Sequence, residues 1–571
     1  MENKIYWEKN LRIPLILNEE RDTKRIVSEK LKEIGTDLRP VFLQEKHLIK
    51  ELFGWDDDIY LKSIWCTKNG KYYVDGELKN VGYKEYASKI KDFDKFREKI
   101  LSYIPSKEEL ENENIIFQNF IKYNREHLYY LLESEDVDEE ENKVGAYPFI
   151  EEVIEKYKNR IPMVSFSGGK DSTVVSHLVR KALNKQEILH IFGDTTLELP
   201  LTYEYVSEFQ EKYPNIPFLV EKNEENDFFE MCKEIGPPSR VKSWCCSIFK
   251  TGPMGTTLSN FDEEFLTFYG VRRKESLSRS KYKKIGKTPK IQGGIVTSPI
   301  IDWMDIDVWL YILAEKIEFN KNYKNGFPRV GCWLCPNNSE YSQLLAKIYV
   351  SKKINNKLKW DIDDWKEILY SFARKVVSNY YIDKNISISK KDLEKEIENY
   401  VEGSKWKARQ GGQGLEQSKN IIFTKKECVN EKNTYIINTN RKIDKEFLSL
   451  FIPFGKLILN NKGKLQEVLV LNTKDEILFK LLYKEQDIEF RLTIVDLTDK
   501  HLYSKITRQL NKFNMCIYCQ ACNSTCKFGA LKVINNSYTI DEDKCVHCLN
   551  CVTKFDQGCL IASALTIKKG K

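Results

Sequence analysis

The residues best placed to do chemistry lie in Met163-Val-Ser-Phe-Ser-Gly-Gly-Lys-Asp-Ser-Thr-Val-Val175. Apolar residues lead into Ser167, two glycines follow, and Val174, Val175, Leu178 and Val179 continue at helical spacing. A strand, a glycine turn and a helix N-terminus turn backbone N–H groups and the helix dipole toward an anion. Gly168 and Gly169 let the main chain approach a phosphate without a Cβ in the way. Ser167 and Ser172 add hydroxyl donors, Lys170 a positive charge, and Asp171 a carboxylate suited to Mg²⁺. The spacing is not that of a Walker A loop, which requires G-x-x-x-x-G-K-[ST].

Cysteine is the second chemical signal. Twelve of the fifteen fall into tight spacing patterns, and in a reducing compartment such patterns point to metal rather than disulfides. Trp244-Cys245-Cys246 and Gly331-Cys332-Trp-Leu-Cys335-Pro336 combine a vicinal pair with C-x-x-C, 86 residues apart from Cys246 to Cys332. Four soft thiolates suit an iron–sulfur cluster or zinc alike. Near the end, Cys516-x-x-Cys519-x-x-Cys522-x-x-x-Cys526 precedes Cys545-x-x-Cys548-x-x-Cys551 and, after seven intervening residues, Cys559. Cys66 stands alone and reads as a packed or surface thiol. His547 lies between ligand candidates and reads as a bystander.

The glycine loop resembles the PP-loop, Ser-Gly-Gly-x-Asp-Ser, of the ATP pyrophosphatases, which cut ATP between its α and β phosphates and adenylylate a substrate. Three later segments extend the likeness: Gly193-Asp-Thr-Thr-Leu-Glu-Leu-Pro200, Tyr269-Gly-Val-Arg-Arg-Lys-Glu-Ser-Leu-Ser-Arg279 and Pro299-Ile-Ile-Asp-Trp-Met-Asp-Ile-Asp-Val-Trp309. Together the four resemble the phosphoadenosine phosphosulfate (PAPS) reductase family, a branch of that superfamily, over roughly residues 146–345. The resemblance implies a nucleotide site of Ser165, Ser167, Gly168, Gly169, Lys170, Asp171, Ser172, Asp194 and Arg279. Lys170, Asp171, Arg272 and Arg273 are the implied catalytic residues, arginine suiting phosphate by its bidentate fork. Two features depart from true PAPS reductases. Their loop lacks the Lys-Asp pair kept here, and their nucleophilic cysteine within Glu-Cys-Gly-x-His has no counterpart in this chain.

Cys245, Cys246, Cys332 and Cys335 resemble the [4Fe–4S] site of adenylylsulfate reductases, and similar cysteines occur in DNA phosphorothioation proteins of the family. The C-terminal run resembles a bacterial two-cluster ferredoxin, with Lys527 where a proline usually follows the fourth cysteine. In such domains the fourth cysteine ligates the other cluster. That assigns Cys516, Cys519, Cys522 and Cys559 to one [4Fe–4S] cube, and Cys526, Cys545, Cys548 and Cys551 to the next.

The elements that must position these groups are legible in outline. At 571 residues the chain needs several cores. Residues 1–95 read as an accessory domain with a strand at Lys71–Val74, and 96–145 as helical. A helix break and N-cap are expected at Ile104-Pro-Ser-Lys-Glu-Glu-Leu110, and an acidic linker at Glu133–Glu141. Residues 146–345 alternate strands (163–166, 188–192, 218–220 and 265–271) with helices. This predicts an α/β, doubly wound parallel sheet with its site at the strand C-terminal ends, which the resemblance implies is of the adenine nucleotide α-hydrolase-like kind. A helical extension (346–419), a β-rich domain (420–505) and a small α+β ferredoxin-type domain (506–571) complete the expected order. The start of the chain lacks a signal-peptide apolar stretch and no run of 18 apolar residues occurs, so a cytoplasmic protein with no membrane partner is expected.

The formal charge of +7 says little about nucleic acid, since three cubes of about −2 each would bring it to roughly +1. Only local runs count. Arg279–Lys290 carries six cations and no acid, and Lys405-Trp-Lys-Ala-Arg-Gln-Gly-Gly412 is a weaker run of the same type. The expected activity is Mg-ATP-dependent adenylylation of an oxygen, releasing pyrophosphate. Sulfur from a donor such as a cysteine desulfurase then displaces AMP, on a nucleic acid or a small molecule, with an external electron donor feeding the ferredoxin-type domain. A sulfonucleotide reductase, and a non-catalytic nucleotide-binding redox sensor or complex subunit, are the alternatives. Three cubes require twelve irons per chain, measured on anaerobically purified protein. Eight irons and one zinc would make Cys245, Cys246, Cys332 and Cys335 a structural zinc site.

Overall fold

Strand and helix alternate from Ile161 onward to build the central sheet, in the order 285–287, 295–297, 265–269, 161–165, 189–194 and 218–222. The neighbours from Ile295–Thr297 through Phe218–Lys222 pair in parallel, and only the edge strand Ile285–Lys287 runs antiparallel. Strand Ile161–Ser165 is followed in sequence by a partner on one side, Leu189–Asp194, and bounded on the other by Phe265–Tyr269. The winding therefore reverses at its C-terminal end, where open α/β sheets hold ligands. The parallel sheet is as the alternation predicts. The computed structural model describes residues 2–8, 10, 12–19, 37–79, 90–287, 294–356, 358–409, 415, 422–429 and 431–566. Residues 288–290 of the first basic run and 410–412 of the second lie outside these.

Helix Lys170–Ala182 buries Val174, Val175, Leu178 and Val179 in one core with Phe149, Leu266, Phe268 and Trp309. The N-terminal segment forms a four-stranded sheet of Leu38–Pro40, Ile64–Thr67, Tyr72–Val74 and Glu77–Lys79. Within it Arg39 Nη1 pairs with Glu45 Oε2 at 2.6 Å, and Arg39 Nη2 reaches the central domain by donating to the Gly326 carbonyl at 3.4 Å. Ser106 caps helix Lys107–Tyr123 in a reciprocal box with Glu109, and 133–141 is an exposed loop. Helices Glu340–Tyr349, Ile362–Asp383 and Lys390–Glu402 form the extension.

Strands between Thr424 and Ile494 make a six-stranded antiparallel sheet. Its core is shared with the cysteine-rich module: Phe447, Phe479 and Leu492 pack with Leu510, Phe513, Val533 and Val552. The module docks on the central domain through Gly252–Leu258. A Cβ on Gly255 would lie 2.6 Å from Ser524 Cα, and Asn523 Nδ2 donates to Thr256 Oγ1 at 2.8 Å. Among the described residues no helix is long and apolar enough to cross a membrane.

One close approach fixes the loop against the sheet. A Cβ on Gly270 would lie 2.6 Å from both Asp171 C and Ser172 N, which are backbone atoms with nowhere to go. Gly270→Ala should therefore lower stability by about 1–3 kcal/mol and weaken nucleotide binding, as read by denaturant melts and binding titration. Parent-like values in both would show that this contact does not set the loop.

Candidate functional site

Strand Ile161–Ser165 ends at Phe166, and the chain turns through Ser167, exposed, and Gly168 at φ +68° into the helix beginning at Lys170. That φ favours glycine. The turn is braced from within: the Ser172 hydroxyl donates to the Gly169 carbonyl (2.9 Å) and accepts from Ser167 N–H (3.1 Å). Asn320 Nδ2 donates to the Gly168 carbonyl at 3.0 Å, and the Lys170 N–H donates to the Tyr323 hydroxyl at 3.0 Å. Ser165 is half-buried on the strand itself.

Beneath the loop lies a buried charge network. Lys170 Nζ sits 2.9 Å from Asp171 Oδ2 and 2.9 Å from Asp305 Oδ1. Arg272 reaches the same two carboxylates, Nε to Asp171 Oδ1 at 2.5 Å and Nη2 to Asp305 Oδ1 at 2.6 Å. Burial opposes charging Asp171, but Arg272 and Lys170 together hold its carboxyl well below the usual range. Burial likewise opposes the two cations, and their carboxylate partners outweigh it, holding both above their ordinary values. Lys170 and Arg272 are thus permanently charged groups facing the loop.

Two members were missed in the sequence. Asp305 stood within the Pro299–Trp309 motif but its role did not show. Asp37 lies far upstream and had no signal at all. Its carboxylate accepts from the Asp305 N–H (2.6 Å) and the Ile306 N–H (3.4 Å) at the start of helix Asp305–Ala314, with Arg272 Nη1 3.8 Å away. Burial, then Asp305, pushes the Asp37 carboxyl up to about 6 against the pull of Arg272.

The other implied residues divide. Asp194 ends its strand and accepts from Thr196 N–H (2.7 Å) and the Tyr203 hydroxyl (2.8 Å). Arg279 pairs with Glu275, and Arg329 and Asp171 are among its charged neighbours. Arg273 takes its contacts elsewhere, pairing with Asp302 and donating to the Tyr282 carbonyl. The basic runs turn partly inward. Lys284 is buried and donates to the Lys143 carbonyl, Lys407 donates to the Asn338 carbonyl, and Arg409 holds the carbonyls of Ile235 and Pro237.

The inner cysteines meet beside Asp194. Cys245, on the short helix Trp244–Cys246, has Cys246, Cys332 and Cys335 as electrostatic neighbours. A π-helical turn, Ser247–Thr251, follows directly, a feature common at functional sites. The Thr195 hydroxyl lies 3.1 Å from Cys332 Sγ and donates to Glu198, whose buried carboxyl is raised by desolvation. Arg329 neighbours both Arg279 and Cys335.

In the C-terminal module Cys516 and Cys519 neighbour Cys522 and Cys559, whereas Cys526, Cys545, Cys548 and Cys551 line one pocket with Pro453 and Phe528. Each set of four thus has its members near one another. Among the described residues no disulfide is formed. Among the described residues no three ligand side chains converge on a single ion, so the fit to [4Fe–4S] rests on three groups of four soft donors. Cys519 and Cys559 belong to the same core as Trp244 and Ile248, against which Cys245 and Cys332 pack.

Residues 161–338 match the phosphoadenosine phosphosulfate reductase domain. An uncharacterized protein of Methanocaldococcus jannaschii is 36% identical over 237 residues, 41% of this chain and 46% of its own length. A second from that organism is 33% identical, with 57% of its length covered, so the chain spans about half of these two relatives. An adenosine 5'-phosphosulfate reductase of Oceanobacillus iheyensis is 30% identical over 200 residues, 35% of this chain and 79% of that protein. The solved PAPS reductase of Candida auris, a phosphate complex, aligns at 17% identity and TM-score 0.28, covering 35% of this chain and 98% of its own.

The raised Asp37 carboxyl gives a pH test. With a folded value near 6 against 3.8 unfolded, the folded state binds the extra proton between these limits, so this group's contribution to stability falls as pH rises through them. Relative to Asp37→Asn, the parent should lose stability from about pH 4 to about pH 6 in denaturant melts. A gap independent of pH would contradict the network.

Proposed function

Because the chain belongs to the phosphoadenosine phosphosulfate reductase domain family, we propose that it reduces a sulfonucleotide such as adenylyl sulfate to sulfite and AMP. The observation that carries this reading is the convergence of an anion loop and a four-thiol group on one sheet edge, with Thr195 3.1 Å from Cys332 beside Asp194. In the reaction the S–O bond to the bridging oxygen breaks. Two electrons reduce sulfur from the sulfate to the sulfite level, and the oxygen leaves with the adenylate phosphate.

The chain's own residues bind and neutralise. The glycine turn at Gly168–Gly169, the exposed Ser167 hydroxyl and the charges of Lys170 and Arg272 would face the adenylate phosphate, whose negative charge grows as the oxygen departs. Arg279 and Arg329 attract the sulfate toward the inner cysteines. Cys245, Cys246, Cys332 and Cys335 would hold the inner cluster, and the eight C-terminal cysteines two more. Bound there, [4Fe–4S] clusters supply one-electron transfer, which this chain needs because the nucleophilic thiol motif is missing. An external donor would provide the electrons.

A second reading has one observation in its favour. Lys170 and Asp171 are both retained, as in enzymes that split ATP, and Asp171 with Mg²⁺ would suit adenylylation and sulfur insertion with a sulfur donor. The inward commitment of Lys284, Lys407 and Arg409 favours a small molecule over nucleic acid for either reaction.

Anaerobic protein with a low-potential reductant should form sulfite and AMP from adenylyl sulfate or its 3'-phosphorylated form. Asp171→Ala or Ser167→Ala should slow this by roughly 30- to 1000-fold, about 2–4 kcal/mol in the transition state, with iron content unchanged. Pyrophosphate release from ATP, with no sulfite from either sulfonucleotide, would replace this reading by the second.

A further inference from the structure

We propose that Lys512 is a fixed counter-charge set between the two four-cysteine groups of the C-terminal module, where it raises the reduction potential of the clusters they would hold. The inference rests on the reading that these cysteines bind [4Fe–4S]. Lys512 lies on helix Leu502–Met515 and is 1% exposed. Its Nζ donates to the Cys551 carbonyl at 2.8 Å and to the Tyr538 hydroxyl at 3.4 Å, and lies 5.2 Å from the centre of the Tyr538 ring. These partners are neutral, and among the described residues no carboxylate pairs with it.

A buried ammonium with only neutral acceptors is costly, since it gives up its hydration without gaining a counter-ion. The cysteines within its reach come from both groups. Cys522 and Cys559 belong to one and Cys551 to the other, and the Lys512 charge neighbours all three.

Loaded clusters change this balance. A cube with four thiolates carries about −2 when oxidised and about −3 after taking up one electron. A positive charge between the two cubes offsets both states and favours the reduced one more, because the attraction grows with the cluster's charge. Lys512 thus answers two needs at once. It keeps two like-charged clusters close together in a small module, and it eases the arrival of an electron. In the metal-free chain the same charge is a liability.

The test compares full-length parent, Lys512→Met and Lys512→Arg, purified anaerobically and assayed for iron, by potentiometric titration followed by electron paramagnetic resonance. In Lys512→Met the ratio of reduced to oxidised module cluster at a fixed potential should fall at least tenfold, which for a one-electron couple is about 59 mV. Lys512→Arg should stay within about threefold of the parent. Should the methionine variant fail to take up iron, Lys512→Gln keeps a hydrogen-bond donor without the charge and carries the same expectation. After removal of iron by chelation the order of stability should reverse, the Lys512→Met chain resisting denaturant better than the metal-free parent. An unchanged potential in the neutral variants, or an equal fall in Met and Arg, overturns the proposal. A parent with no iron at the module overturns the cluster reading and the inference with it, a result the iron assay separates from the others.

Discussion

The site depends on one shared carboxylate. Asp305 accepts from both Lys170 and Arg272, and those two cations also meet at Asp171. The four groups come from three places, the loop after the first core strand, the turn after Phe265–Tyr269, and the start of helix Asp305–Ala314. The ion network therefore works as a clamp across the point where the sheet reverses its winding. Buried charges of this kind persist only when fully paired, and each pairing here constrains a different element. An anionic ligand would compete with Asp171 and Asp305 for the same cations. The network that organises the site is thus also what a phosphate must re-partner.

The second organising feature is adjacency. The module does not hang from a linker. It shares a core with the β-rich sheet, and it meets the central domain through Gly252–Leu258, where Gly255 admits Ser524 at a separation no side chain would allow. That same helix follows the π-helical turn after Cys246, so one short segment connects the inner thiols to the module surface. Cys519 and Cys559 share a core with the residues against which Cys245 packs. Electron transfer weakens steeply with distance, so this packing, more than the mere fusion of domains, favours a reductive role.

The loop was legible because its chemistry is local: glycines, hydroxyls and a Lys-Asp pair within a few residues leave little freedom. The parallel sheet followed from periodicity. Asp37 was not legible, since its role arises from a contact 268 residues away, with the Asp305 N–H. The inward contacts of the basic runs were hidden for a related reason. Charge counting cannot show that Lys284 is capped by the Lys143 carbonyl or that Arg409 holds three backbone interactions around Pro237. Arg273, adjacent to Arg272 in sequence, points its contacts to Asp302 instead, because the chain passes from extended backbone at Arg272 into the 3₁₀ turn Arg273–Glu275.

The central claim is that the anion loop and the inner cysteines serve one substrate. Its most direct test is an anaerobic crystal structure of the oxidised protein with adenylyl sulfate bound. The account expects the phosphate against Ser167–Ser172 with Arg272 turned toward it, and the sulfate directed past Arg279 and Arg329 to the thiols of Cys332 and Cys335. A nucleotide held by the loop with its sulfate pointing to solvent, away from those cysteines, would contradict it.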